Sequence, residues 1–115
     1  MSKKKVLLID DENDFGLLLK SFFSKRGFEV FLSQTLTDGM KALETVNPDI
    51  VILDNNLPDG MGWDKADYVL EKNGGTQLIL ISAYRHDNAI TQKYPSVKIY
   101  EKPVSLTELN NFLSK

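Results

Sequence analysis

The stretch Ile50-Val51-Ile52-Leu53-Asp54-Asn55-Asn56-Leu57-Pro58-Asp59-Gly60 decides the fold. Its branched apolar residues run without polar alternation into an acid, the pattern of a strand buried on both faces of a parallel sheet. Pro58, Asp59 and Gly60 then stop the strand. Asp54 is thereby placed at the carboxyl end of a central strand, where open α/β sheets carry their ligands. An acid there is a candidate nucleophile towards phosphate.

Working outward, Val6-Leu7-Leu8-Ile9 is a second such run, closed by Asp10-Asp11, and predicts the first strand. Glu12 to Lys25 predicts a helix, with Phe15, Leu18, Leu19 and Phe22 on one face and Gly27 as its stop. Phe28 to Leu32 reads as a short strand, and polar Glu29 suggests an edge position. Thr35, with Asp38 as capping-box partner, opens a second helix whose buried stripe is Leu36, Met40, Leu43 and Val46. Asn47-Pro48 ends it, because the residue before proline avoids the helical region.

Past the central strand, Gly62 to Lys72 predicts a helix that buries Trp63, Ala66, Val69 and Leu70. Gln77 to Ile81 predicts a strand, His86 to Lys93 a short helix, and Val97 to Glu101 a fifth strand. Ser105 and Glu108 form a capping box for a last helix lined by Leu106, Leu109, Phe112 and Leu113. A βα unit repeated five times predicts an α/β fold with one parallel sheet and helices on both sides.

The length of 115 residues suits a single domain over 1–115, and 42% hydrophobic with 26% charged residues is the balance of an ordinary globular chain. The absence of cysteine excludes disulfides and thiolate metal sites. No apolar run approaches the ~20 residues that span a bilayer, and the start lacks a signal-peptide core, so a cytoplasmic location away from membranes is expected. A net charge of −2 argues against nucleic-acid binding by this domain, and Lys3-Lys4-Lys5 reads as a solvated approach to the first strand.

Four strands end in residues suited to chemistry: Asp10-Asp11, Asp54, Ser82 and Lys102. A parallel sheet gathers these ends at one edge, although they are far apart in sequence. Carboxylates brought together repel, so they call for a cation or a proton. A hard divalent ion with oxygen ligands fits, Mg²⁺ foremost. Lys102 offers a compact positive charge to Asp54 and then to a phosphoryl group, and Ser82 offers a hydroxyl donor. Asp54 would attack a phosphoryl donor and form an acyl phosphate. Taken singly the same residues have plainer readings. Asp54 suits a turn, Asp10-Asp11 a helix N-cap with Asp11 able to do both jobs, and Lys102-Pro103 a strand end. Their joint placement argues for chemistry.

At this point the chain resembles the receiver domain of bacterial two-component response regulators. The matching stretches are Leu7-Leu8-Ile9-Asp10-Asp11-Glu12, Pro48-Asp49-Ile50-Val51-Ile52-Leu53-Asp54, Leu57-Pro58-Asp59-Gly60-Met61-Gly62, Ser82-Ala83 and Lys102-Pro103. The resemblance implies a flavodoxin-like (βα)5 three-layer sandwich with strand order 2-1-3-4-5. It implies that Asp54 is the phosphoacceptor, that Asp11 and Asp54 ligate Mg²⁺ directly, that Asp10 does so through water, and that Asn56 contributes its backbone carbonyl. Ser82 matches the hydroxyl switch residue and Lys102 the phosphate-contacting lysine. Asn56 and Tyr84 match variable positions that influence how long the phosphate lasts.

The implied donors are a sensor histidine kinase, a phosphotransfer protein or a small acyl phosphate. The implied output is a switched surface for a downstream protein, on a monomer or weak dimer, with no enzymatic activity beyond the chemistry of its own aspartate. One departure stands out: Ile99 occupies the position where receivers carry Tyr or Phe. Either a bulge re-aims the adjacent Tyr100, or Ile99 takes the place without a hydroxyl. Two rival readings fit less of the pattern. Haloacid-dehalogenase-like phosphatases want a second Asp where Asn56 stands, and a receiver-like interaction module would not be switched by phosphorylation at all.

Overall fold

A computed structural model of the chain describes residues 3–72, 75–83 and 89–114. The main strands are β1 (Lys5–Ile9), β2 (Glu29–Ser33), β3 (Ile50–Asp54), β6 (Gln77–Ser82) and β7 (Lys98–Glu101); β4 (Asn56–Leu57) and β5 (Gly60–Met61) form a small hairpin. The helices are α1 (Asn13–Ser24), α2 (Leu36–Val46), α3 (Ala66–Lys72), α4 (Ala89–Lys93) and α5 (Leu106–Leu113). The five-stranded sheet runs β2-β1-β3-β6-β7 with every pairing parallel, which is the expected 2-1-3-4-5 order once the hairpin is set aside. The fold is flavodoxin-like.

Side chains alternate across a strand, and the core divides accordingly into two layers. Val6, Leu8, Ile50, Ile52, Ile79 and Ile81 meet Leu19, Phe22 and Phe23 of α1 and Leu109 of α5. Leu7, Ile9, Val51, Leu53, Leu78 and Leu80 meet Leu36 and Leu43 of α2 and Ala66 and Val69 of α3. All five residues of β3 are buried, the four of its unbroken apolar run and Asp54 after them. Glu29 is exposed on the edge strand β2, as its polarity predicts.

Several local expectations are corrected. Leu18 is 46% exposed, and Phe23 is fully buried in its place, so the α1 stripe runs Phe15, Leu19, Phe22 and Phe23. Asp11 does not cap α1. The Asp10 carboxylate accepts the Glu12 backbone N–H at 2.9 Å, which holds the chain extended until Glu12 and starts the helix at Asn13. The helix expected from Gly62 begins as a 3-10 turn over Gly62–Lys65 and becomes α-helical at Ala66. Thr35 Oγ1 caps α2 by accepting the Asp38 N–H at 3.1 Å, and Asn47 ends it in the left-handed region at φ 57°. Ser105 and Glu108 make the full capping box of α5. The first part of the helix expected from His86, like Tyr84, lies outside the described residues.

Candidate functional site

The central turn is assembled by backbone bonds. Asn55 donates its N–H to Ile81 O at 3.1 Å and accepts the Gly62 N–H at 3.0 Å. Its buried side-chain Oδ1 accepts the Trp63 N–H at 3.1 Å. Gly62 passes so close to the central strand that a Cβ there would stand 2.0 Å from the Asp54 carbonyl oxygen, which leaves glycine alone at this position. From the hairpin, Asp59 accepts the N–H groups of Leu36 and Thr37 at 2.7 and 2.9 Å and the Thr37 hydroxyl at 2.7 Å. These donors hold the Asp59 carboxyl down to a pKa of about 2, the Thr37 N–H first, then that of Leu36. Asp59 thus clamps the turn after β3 to the start of α2, a role the sequence reading did not assign.

At the carboxyl edge of the sheet, strand parity decides which side chains meet. Asp54 is in phase with Ile50 and Ile52 of β3. The Asp10 N–H bonds to Ser33 O at 2.9 Å and the Lys102 N–H to Ser82 O at 2.8 Å, so both residues prolong the sheet in phase with Leu8 and Tyr100. All three therefore emerge on the α1–α5 side. Lys102 Nζ lies 3.0 Å from Asp10 Oδ2, 3.3 Å from Asp54 Oδ2 and 2.6 Å from Glu12 Oε1. It also stands 5.5 Å from the Phe15 ring centroid. Ser82 is buried at the end of β6, in phase with Leu78 and Leu80, and so belongs to the other face.

Charge and burial oppose each other here. Burial raises the Asp54 carboxyl above its ordinary range, the Asp10 charge adds to this, and Lys102 pulls it back. Asp10 is likewise raised by burial, against the Glu12 N–H and Lys102. For Lys102, burial works against the ammonium, but its contacts with Glu12 and Asp10 outweigh it and raise the pKa.

Asp10, Asp11 and Asp54 can each bring an oxygen within 4.8 Å of the others, with Asp11 on the exposed side. Asp10 Oδ2 is buried with no hydrogen-bond partner assigned among the described residues, and Lys102 Nζ, 3.0 Å away, is its ion-pair contact. An orphaned buried oxygen facing two further carboxylates is the donor set a hard divalent cation would satisfy, so the residues fit Mg²⁺. Asn56 is exposed at the start of the hairpin, and its N–H approaches Asp54 Oδ1 at 3.4 Å.

The structure thus brings together Asp10, Asp11, Asp54 and Lys102, with Asn56 and Ser82 at the rim. Glu12, the lysine's nearest carboxylate, was missed as a site residue. Its signal was its place directly after an Asp-Asp pair at a strand end. β7 runs in continuous register, Leu80 opposite Ile99 and Ile81 opposite Tyr100, without a bulge. Tyr100 packs on the α1–α5 side and Ile99 on the opposite one. Ile99 therefore holds the position expected of an aromatic. Close by, the Trp63 indole N–H donates to Ile81 O at 3.2 Å, one residue before Ser82.

A family model described as "Response regulator receiver domain" matches residues 6–114. Among curated proteins, Sporulation initiation phosphotransferase F of Bacillus subtilis is 28% identical over 100% of this chain and 94% of its own length. Three further relatives are longer, and the chain spans 62%, 26% and 61% of them. A response regulator receiver domain (CheY-like) from Methanospirillum hungatei superposes with TM-score 0.87 over 98% of this chain and 92% of that one, at 22% identity, a likeness of fold. The response regulator TrrA of Thermotoga maritima, solved in complex with Mg²⁺ and BeF, shares 26% identity at TM-score 0.81 over 96% of each chain.

Proposed function

This chain belongs to the response regulator receiver family, and on that premise we propose that it is a phosphorylatable switch with Asp54 as its phosphoacceptor. A sensor histidine kinase or a phosphotransfer protein would supply the phosphoryl group. An Asp54 carboxylate oxygen attacks phosphorus, the phosphorus–nitrogen bond of the donor phosphohistidine breaks, and the imidazole departs with the electron pair. Water later cleaves the acyl phosphate and restores the carboxylate. The chain is a signalling module, and this chemistry stays on its own aspartate.

The observation that carries the reading is a buried Asp54 with the Lys102 ammonium 3.3 Å from Oδ2, inside a three-carboxylate cluster. Asp10, Asp11, Asp54 and the Asn56 backbone carbonyl would hold Mg²⁺. Bound there, the ion supplies charge neutralisation for the phosphoryl oxygens. Lys102, already turned towards Asp54, takes up an oxygen of the transferred group as a point charge. Ser82 offers its hydroxyl to another. Phosphorylation adds about −1.5 to −2 of charge, and movement of Ser82 would bias the conformations of the face formed by β6 and β7. A downstream protein would read that face, from a monomer or weak dimer.

The test is incubation with Mg²⁺ and acetyl phosphate, followed by intact mass. Wild type should gain one phosphate and Asp54→Asn none. Equal labelling of both proteins sinks the assignment, and so does an unlabelled wild type.

A further inference from the structure

Lys102 is engaged more closely by Glu12 than by Asp54: 2.6 Å against 3.3 Å. The three carboxylates around this ammonium differ in standing. Asp10 and Asp54 belong to the oxygen cluster suited to a cation, together with Asp11, and Glu12 does not. Nor does Glu12 spend its side chain on capping α1. It holds the N-cap position in extended conformation, φ −84° and ψ 112°, without a side-chain cap bond. Its carboxylate is 58% exposed and reaches back over the site to the lysine, which is itself only 16% exposed.

An ammonium has three protons and no lone pair. Three carboxylate oxygens lie within 3.3 Å of Lys102 Nζ, and an arriving phosphoryl oxygen competes with them for this ammonium. Glu12 is the one that can swing out into solvent, because the other two are walled in by the strand ends. Until it leaves, it also sets a full negative charge beside the path of an anionic donor. Phe15, on the first turn of α1, remains as a face for the lysine after Glu12 lets go.

We propose that Glu12 is a positioning residue that engages the Lys102 ammonium alongside Asp54 and competes with the incoming phosphoryl group for it, so that it limits how readily Asp54 is charged. This rests on the reading of Asp54 as phosphoacceptor. The effect is moderate, because more than half of the Glu12 side chain is in water and screens the charge.

Initial rates of labelling by acetyl phosphate at saturating Mg²⁺ test it, with wild type, Glu12→Gln, Glu12→Lys and Asp54→Asn compared at low and high salt. At low salt and subsaturating donor, Glu12→Gln should label about threefold to tenfold faster than wild type, and Glu12→Lys faster still. The gain should lie in the donor concentration for half-maximal rate and leave the maximal rate within about twofold. It should shrink in about 1 M KCl, where the Debye length is about 3 Å. Nitrogen NMR of the lysine side chains should show the Lys102 signal move in Glu12→Gln before any donor is added.

Equal rates for wild type and both Glu12 variants, with an unmoved Lys102 signal, overturn the proposal while leaving Asp54 in place, provided wild type labels and Asp54→Asn does not. A gain that persists unchanged in high salt overturns it too, since a packing effect would behave that way. A wild type that takes no phosphate fails the parent reading, and this proposal with it.

Discussion

The two faces of the sheet are built from different materials. On the α1–α5 side, Phe22, Phe23 and Phe28 interlock edge to face, with centroids 5.1 and 5.4 Å apart and planes near perpendicular. Phe15, Tyr100 and Phe112 pack around them. The opposite side is mainly aliphatic, and its aromatics, Phe31, Trp63 and Tyr94, are only partly buried. The chemistry divides the same way. Asp10, Asp54 and Lys102 emerge in phase with the aromatic side, whereas Ser82 and Ile99 emerge in phase with the aliphatic one. The acidic cluster therefore sits over the aromatic half of the core. Ser82, the residue proposed to respond to phosphate, sits over the aliphatic half.

The contrast can be broken by mutation. The largest effect is expected for Phe23→Ala. The ring is fully buried, so its loss should cost about 3–5 kcal/mol in urea unfolding, while the protein that remains folded still labels at Asp54. A cost below about 1 kcal/mol would mean that the aromatic side is not the anchor described.

Trp63→Phe should cost about 0.5–1 kcal/mol by the same measurement, since Ile81 O keeps the Asn55 N–H when the indole donor is gone. It should also change the dependence of labelling-induced spectral shifts, followed by NMR at Ser82. Tyr100→Phe, on the other face, should leave those shifts alone. If Tyr100→Phe abolishes them instead, the assignment of faces fails.

The smallest effect is expected for Asp59→Asn, and it depends on pH. A carboxyl depressed from 3.8 to about 2 in the folded state contributes stability above pH 3.8 and loses it as pH falls through about 2. The thermal midpoint of Asp59→Asn should lie below wild type near neutral pH, and the two should converge on acidification through that window. A gap that stays constant down to pH 2 would show that the clamp on α2 does not depend on the charge of Asp59.

The register of Ile99 also bears on what the aliphatic face can do. With β7 unbroken, the Tyr100 ring cannot approach Ser82 without crossing the sheet. The Tyr or Phe that the family resemblance implies is therefore replaced by a branched aliphatic side chain. On the same side of the strand end, the Trp63 indole is hydrogen-bonded to the carbonyl just before Ser82.

Much of this was legible in the linear chain. The unbroken apolar runs at Val6–Ile9, Ile50–Leu53 and Leu78–Ile81 announce buried parallel strands, because a strand covered on both faces has no polar side to show. Once those strands are parallel, the acids and the lysine that end them must share one edge. The sequence therefore also determined that Asp10, Asp11, Asp54 and Lys102 meet. What only the tertiary structure decided lies in side-chain phase and in contacts between distant segments. Glu12 reaching Lys102, Asp59 clamping α2, Leu18 giving way to Phe23 and the choice between Ile99 and Tyr100 each turn on a rotation of a few tens of degrees or on one residue of register. Local pattern does not resolve differences that small, because the same residues satisfy helix or strand spacing in either setting. Packing does resolve them, since only one phase fills the core and only one carboxylate is left beside the lysine with room to move.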